Sequence, residues 1–181
     1  MLYLPLYNGI EKLEIGVPVE AKFEPAAARP LGMKPIVFYG TSIVQGGCAS
    51  RPGMAHPAIL GRRLNWPTIN LGFSGSAQCE PEVASLLAEL DPAVYVLDPL
   101  ANMRPEWVAE RMRPFIARLR EAHPRTPIVL VEHAGHANAP LLDNRRPSYK
   151  ESNATLRRIH EELRRAGDRN LLYVRGEKLV G

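Results

Sequence analysis

The chain has 181 residues, 45% hydrophobic and 23% charged, with a formal net charge of +4 and a pI near 9.3, the profile of one ordinary globular domain. Its basic excess sits in arginine pairs (Arg62-Arg63, Arg157-Arg158, Arg164-Arg165) on amphipathic segments with acids nearby, not in a concentrated stripe with stacking aromatics, so no nucleic-acid partner is expected. Two cysteines, Cys48 and Cys79, are too few for a disulfide framework and lack metal-site spacing, and no stretch approaches the ~18 apolar residues of a membrane span.

The opening LYLPLYNGIEKLEIG reads as a β-hairpin. Leu2, Leu4 and Leu6 alternate, Asn8-Gly9 is a turn signal, and Leu13 and Ile15 alternate on the return. A lone hairpin is marginal in water, so this one needs something to pack on. The Met1 end lacks the basic start and apolar run of a signal peptide, which makes a cytoplasmic protein with no membrane partner the expectation if Met1 is the true start. The Pro- and Ala-rich VPVEAKFEPAAARPLGMKP follows as a linker or wrapping arm, closing an N-terminal unit over 1–32.

From Pro35 the pattern becomes regular. Apolar runs of strand length fall at 36–39, 67–71, 93–97, 127–131 and 170–174. Between them Val83, Leu86, Leu87 and Leu90 recur at helical spacing, as do Val108, Met112, Phe115, Ile116 and Leu119, and then Leu156, Ile159 and Leu163. Pro114 predicts a kink or restart in the second of these helices, and Gly167 ends the last. Alternating strands and helices, with strands that are nearly all apolar, imply a parallel five-stranded sheet covered on both faces, a three-layer α/β/α sandwich. In such sheets ligands bind outside the carboxyl ends of the strands. The functional residues should then lie at 40–48, 72–79, 98–104 and 132–147.

Those loops carry a consistent set of groups. Gly40-Thr41-Ser42 ends the first strand, NLGFSGSAQ spans 70–78 after the second, and LDPLANM spans 97–103 after the third. Together they supply a hydroxyl nucleophile in Ser42, a backbone N–H donor at Gly75 and an amide donor in Asn102, the parts of an acyl-transfer site. Each also has a plain reading: Ser42 as a turn or cap, Gly75 as a turn former, Asn102 as the cap of a helix starting near Pro105. Their convergence on one sheet edge favours the functional one. An α/β-hydrolase elbow is excluded because Gly40-Thr41-Ser42-Ile43-Val44 lacks the second glycine, and neither a P-loop nor a dinucleotide fingerprint follows the first strand.

The run YGTSIVQGGCASRPGMAHP, with INLGFSGSA, YVLDPLANM, PIVLVEHAGHANA and NLLYVRGEKLVG, resembles the GDSL-type lipase/acylhydrolases of the SGNH hydrolase superfamily, in the branch where an accessory β-domain precedes the hydrolase domain. The resemblance covers 33–181 and implies a flavodoxin-like hydrolase domain, with the N-terminal hairpin a remnant of the accessory domain. It implies Ser42 as nucleophile, and Ser42 N–H, Gly75 N–H and Asn102 as oxyanion donors. Thr41 replaces the name-giving Asp, and Asn102 sits in Leu-Ala-Asn-Met in place of Gly-x-Asn-Asp.

The family takes its base and orienting acid from an Asp-x-x-His motif after the fifth strand. No such motif lies in Gly176–Gly181, so a domain lacking that segment and its last helix is expected. His56, His123 and His160 read as structural or solvated. His133 and His136 follow the fourth strand at the productive edge, with Glu132 or Asp143 as candidate orienters. No metal or cofactor is implied, His133-x-x-His136 being too short a signal for zinc. The expected function is that of a serine esterase or acylhydrolase on a small ester, an O-acetylated carbohydrate being one candidate. The alternatives are a non-catalytic chain of the same fold and an acyltransferase using the same serine.

Overall fold

A computed structural model describes residues 2–25, 30, 32–135 and 146–179. Five strands, β1 (Ile36–Gly40), β2 (Thr68–Gly72), β3 (Val94–Asp98), β4 (Ile128–Val131) and β5 (Leu171–Val174), form one sheet in the order β2-β1-β3-β4-β5. Every pairing is parallel. Around it lie α1 (Ser42–Gln45), α2 (His56–Leu64), α3 (Pro81–Ala88), α4 (Pro105–Ala122) and α5 (Arg146–Arg165). Strand bounds fall within one residue of the apolar runs in the sequence, because only continuously apolar segments can be buried on both faces.

The order matters for function. The chain leaves β1 toward β2 on one side, then crosses to β3 on the other. The β1/β3 boundary is therefore a topological switch point, where the loops part and leave a crevice.

The two faces of the sheet differ. Val37, Tyr39, Tyr95, Leu97, Ile128 and Leu130 point to one side, where they form the main core with residues of α3, α4 and α5. Tyr39 stacks on Phe115 at 5.1 Å between ring centroids. Its hydroxyl accepts from Cys79 N–H at 3.0 Å, which settles a polar group inside that core. Cys48 and Cys79 are both free thiols. On the other side Ile36, Phe38, Val94, Val96 and Val129 share an apolar groove with Ile59, Leu60 and Leu64 of α2.

The break expected at Pro114 does not occur; α4 runs through it from Pro105 to Ala122. Pro114 is exposed, so the carbonyl it leaves without a partner can meet water. A mid-helix proline costs about 3 kcal/mol. Burial of Val108, Met112, Phe115, Ile116 and Leu119 on the opposite stripe, at about 1.5–3 kcal/mol each, outweighs it.

The N-terminal hairpin is also corrected: residues 2–25 contain no strand. Their backbone and side chains bind the domain instead of pairing with each other. Gln45 Nε2 donates to Leu6 O at 2.9 Å, and Arg62 Nη1 donates to Tyr3 Oη at 2.8 Å. An isolated two-stranded ladder offers too little burial to compete with such contacts. No described helix is long and apolar enough to cross a membrane.

Candidate active site

The turn after β1 is built by capping and by glycine. Thr41, buried and extended (φ −88°, ψ −164°), caps α1 by accepting from Ile43 N–H on its hydroxyl at 3.3 Å. Ser42 is the first residue of that four-residue helix. Gly46, at φ +103°, closes it, and the N–H groups of Gly46 and Gly47 both donate to Ser42 O, at 2.9 and 2.7 Å. A Cβ on Gly40 would lie 2.6 Å from Asp98 O, and one on Gly72 would overlap the backbone of Gln45. Two bare glycines thus let α1 sit directly on the ends of β1 and β2, and Ser42 stands at the carboxyl edge of the sheet.

The loop after β2 is tied to α1 and to the loop after β3. Phe73 N–H continues the ladder onto Gly40 O at 2.7 Å, and Ser74 N–H donates to Gln45 Oε1 at 2.9 Å. Asn70 Nδ2 donates to Val44 O at 2.9 Å, while its Oδ1 accepts from Gly72 N–H at 3.0 Å. Gly75 holds φ +75° with open space where a side chain would be, a left-handed conformation that favours glycine. Asn102, in a single 3-10 turn over Leu100–Asn102, donates from Nδ2 to Phe73 O at 3.2 Å. It does not cap α4, whose N-cap is Arg104 with no side-chain bond. Ser42, Gly75 and Asn102 therefore sit on three loops braced against one another by Gln45, Asn70 and the Phe73 carbonyl.

Sequence reasoning passed over Gln45 and Asn70. Asn70 left a signal: it is the one polar interruption of the IleAsnLeu run, and a polar residue within a strand needs a partner.

The loop after β4 is built differently. Glu132 is buried, and its carboxylate receives Arg157 Nη2 and Tyr173 Oη, each at 2.6 Å, and Gly176 N–H at 2.9 Å. Burial pushes this carboxyl up, but the donors from Tyr173, Gly176 and Arg157 outweigh it and hold the pKa below the ordinary value. Glu132 thus joins β4, β5 and α5, and it does not orient a histidine. His133 accepts Gly135 N–H on Nδ1 at 2.7 Å and stacks on Tyr149. Its main chain is clamped by the Asn153 amide at 2.9 Å in both directions. It follows the end of β4, a strand that lies two places from β1 in the sheet, about 10 Å away. His136 and Asp143 lie outside the described residues.

Ser42 lines a cavity of about 330 Å³ with Ile43, Gly47, Cys48, Met54 and His56. Ile43 and His56 also border the apolar groove below, a space of about 600 Å³.

A parallel five-stranded sheet with a serine-bearing turn at its switch point places the chain among the three-layer α/β folds that work at the carboxyl edge. Within that class, residues 33–181 match the GDSL-like lipase/acylhydrolase family, and the chain belongs to it. Among solved structures it is similar to a protein described as a GDSL-like lipase from Bacteroides ovatus, with TM-score 0.76 and 37% identity over 78% of this chain and 42% of that one. It is also similar to a salicylyl-acyltransferase from a tetracycline biosynthetic pathway, with TM-score 0.73 and 23% identity over 84% of this chain and 46% of that one. A family two carbohydrate esterase from Clostridium thermocellum shares the fold, with TM-score 0.60 and 16% identity over 83% of this chain and 56% of that one. The chain spans less than half the length of the first two. No curated protein matches it.

Proposed function

We propose that the protein is a serine esterase or acylhydrolase acting on a small ester through an acyl-serine intermediate on Ser42. The observation that carries this reading is the bracing of Asn102 against the loop of Gly75. Of the two hydrogens on Asn102 Nδ2, one is spent on Phe73 O, which fixes the amide plane; the second remains to meet an oxyanion. Ser42 N–H, at the start of α1, and Gly75 N–H complete the set of donors. Attack by Ser42 Oγ on the ester carbonyl would place negative charge among these three, and their positions are set before substrate arrives. Such preorganised donors are worth about 2.7–4 kcal/mol each where one has been removed.

The reading is tested by hydrolysis of p-nitrophenyl acetate by the 181-residue chain beside Ser42→Ala. Turnover lost in a folded mutant supports it; equal turnover in both sinks it. An O-acetylated carbohydrate is the substrate class favoured by likeness to carbohydrate esterases. Likeness to an acyltransferase favours a second reading, in which the acyl-serine passes to an alcohol. Adding a sugar or simple alcohol during turnover separates the two: transfer gives a new ester, hydrolysis gives only acid. A non-catalytic chain of the same fold would bind the ester without Ser42-dependent turnover.

A further inference from the structure

We propose that the segment over residues 3–7 is a working part of the active site: docked on α1, it holds the loop of Gly75 in place through the side chain of Gln45. This assignment rests on reading Ser42 as the nucleophile and Gly75 N–H as an oxyanion donor. Gln45 then acts as a positioning residue.

Gln45 is the last residue of α1, three positions after Ser42, and both ends of its amide are occupied. Oε1 accepts from the N–H of Ser74, the residue before Gly75, at 2.9 Å, and Nε2 donates to Leu6 O at 2.9 Å. The amide is planar, so the two bonds fix its rotation together. Its last torsion is soft, and without Leu6 O the group is free to turn away from Ser74. Ser74 and Gly75 arch between Phe73 and Ser76, whose backbone bond closes the turn. Among the described residues two side chains hold the arch: Gln78 Nε2 on Gly75 O at 3.4 Å, and Gln45 at the shorter 2.9 Å.

The docking surface fits this segment. Tyr3, Leu6 and Tyr7 each lie against a glycine. A Cβ on Gly53 would come within 2.8 Å of the Tyr3 ring, one on Gly46 within 2.6 Å of Leu6 Cδ1, and one on Gly47 within 2.8 Å of Tyr7 Oη. Gly46 is required by its φ of +103°, but Gly47 and Gly53 lie outside the left-handed region. At both, the first atom a side chain would strike belongs to the segment, so close approach is what keeps them bare. Arg62 on α2 holds the far end. Its Nη1 donates to Tyr3 Oη at 2.8 Å, and its guanidinium carbon lies 5.3 Å from the centre of the same ring.

Position matters because oxyanion donors act on the transition state. Gly75 N–H must meet the developing charge at hydrogen-bond distance, and a displacement of about 1 Å can cost about 10²-fold in rate. The nucleophile is tied to the same contacts: Gly46 and Gly47, against which Leu6 and Tyr7 lie, both donate to Ser42 O. The segment thus bears on nucleophile and donor at once.

The test uses the full chain, a Tyr3→Ala/Leu6→Ala double variant, Gln45→Ala, and all three changes combined, with circular dichroism to show folding. Two things are read: amide hydrogen exchange at Ser74 by NMR, and kcat and KM for p-nitrophenyl acetate. Undocking the segment should speed exchange at Ser74 by about tenfold while the strand amides stay protected. It should lower kcat about tenfold with KM unchanged, the pattern of an interaction made only in the transition state. Gln45→Ala should lower kcat by about 10²-fold, and the segment substitutions should add nothing to it, because both act through one amide. Wild-type exchange at Ser74 in the folded double variant overturns the inference, as do kcat losses that multiply in the combined variant. Failure of the underlying reading looks different. If Ser74 loosens in a chain with no Ser42-dependent turnover, the coupling stands and Ser42 falls as nucleophile. If turnover depends on Ser42 while Ser74 does not respond, Ser42 stands and the coupling falls.

Discussion

Asn102 and Phe73 lie on different loops and meet through one hydrogen bond, Nδ2 to backbone carbonyl at 3.2 Å. That bond gives the amide its orientation before any substrate is present. The same carbonyl also accepts Ser76 N–H at 3.1 Å and Ala77 N–H at 3.2 Å, so it is itself held in place. Asn102→Ala should lower kcat by about 10²–10³-fold with a stability loss near 1 kcal/mol, since the carbonyl keeps its backbone partners. Steady-state kinetics with a thermal melt checks both. A loss of several kcal/mol with unchanged kcat would make Asn102 a strut only.

Gly72 and Gly75 should answer alanine differently although they are three residues apart. At Gly72 the new methyl would overlap Gln45, so α1 must lift off the sheet; a loss above about 3 kcal/mol is expected, with Ser42 displaced. At Gly75 the methyl meets nothing within 4 Å, and only the φ of +75° opposes it, at about 1 kcal/mol. Denaturant midpoints of the two variants decide it. Equal effects would mean that conformational strain, not space, governs both sites.

Glu132 carries an acid-sensitive part of the stability. Its folded pKa lies below the unfolded one, so its contribution is complete above the ordinary value of 4.5 and is lost as pH falls through the lower folded value. Glu132→Gln should flatten the fall of Tm below pH 5. Glu132→Ala, which leaves Arg157, Tyr173 and Gly176 N–H facing a hole, should cost about 3 kcal/mol at pH 7. A wild-type melt with no steeper acid limb than Glu132→Gln would refute this.

Asp98 acts with the opposite sign. Burial lifts its pKa to about 7 from 3.8, so the fold holds the proton that the unfolded chain releases. Its contribution is most favourable below pH 4 and is lost as pH rises toward 7. Asp98→Asn should therefore stabilise the protein at pH 8 by about 2 kcal/mol, the apolar groove it lines being partly open to water, and have little effect at pH 4. Tm measured at the two pH values is the check. Stabilisation of equal size at both would assign the effect to packing.

Much of this was legible along the chain. Strands appear in the sequence as unbroken apolar runs because a parallel sheet is buried on both faces, and the helices α3, α4 and α5 as stripes because each buries one side. Pro114 shows the limit of local reading: its backbone cost is real, but five buried neighbours on the far side of the turn outweigh it. The opening segment shows the same limit, since Leu6 O and Tyr3 Oη find partners on α1 and α2 that no local pattern reveals.

For the site, the chain by itself determined which loops end at the carboxyl edge of the sheet and which groups they carry there: the positions of Ser42, Gly75 and Asn102 at that edge follow from where the strands end. Only the tertiary structure decided how those loops brace one another, because Gln45, Asn70 and the Phe73 carbonyl act across 26 to 29 positions of sequence. It likewise assigned Glu132 to Arg157, Tyr173 and Gly176. Hydrogen bonds and buried charge act through space over a few ångströms, so what they join depends on how the sheet is ordered and registered, which no local stretch of sequence records.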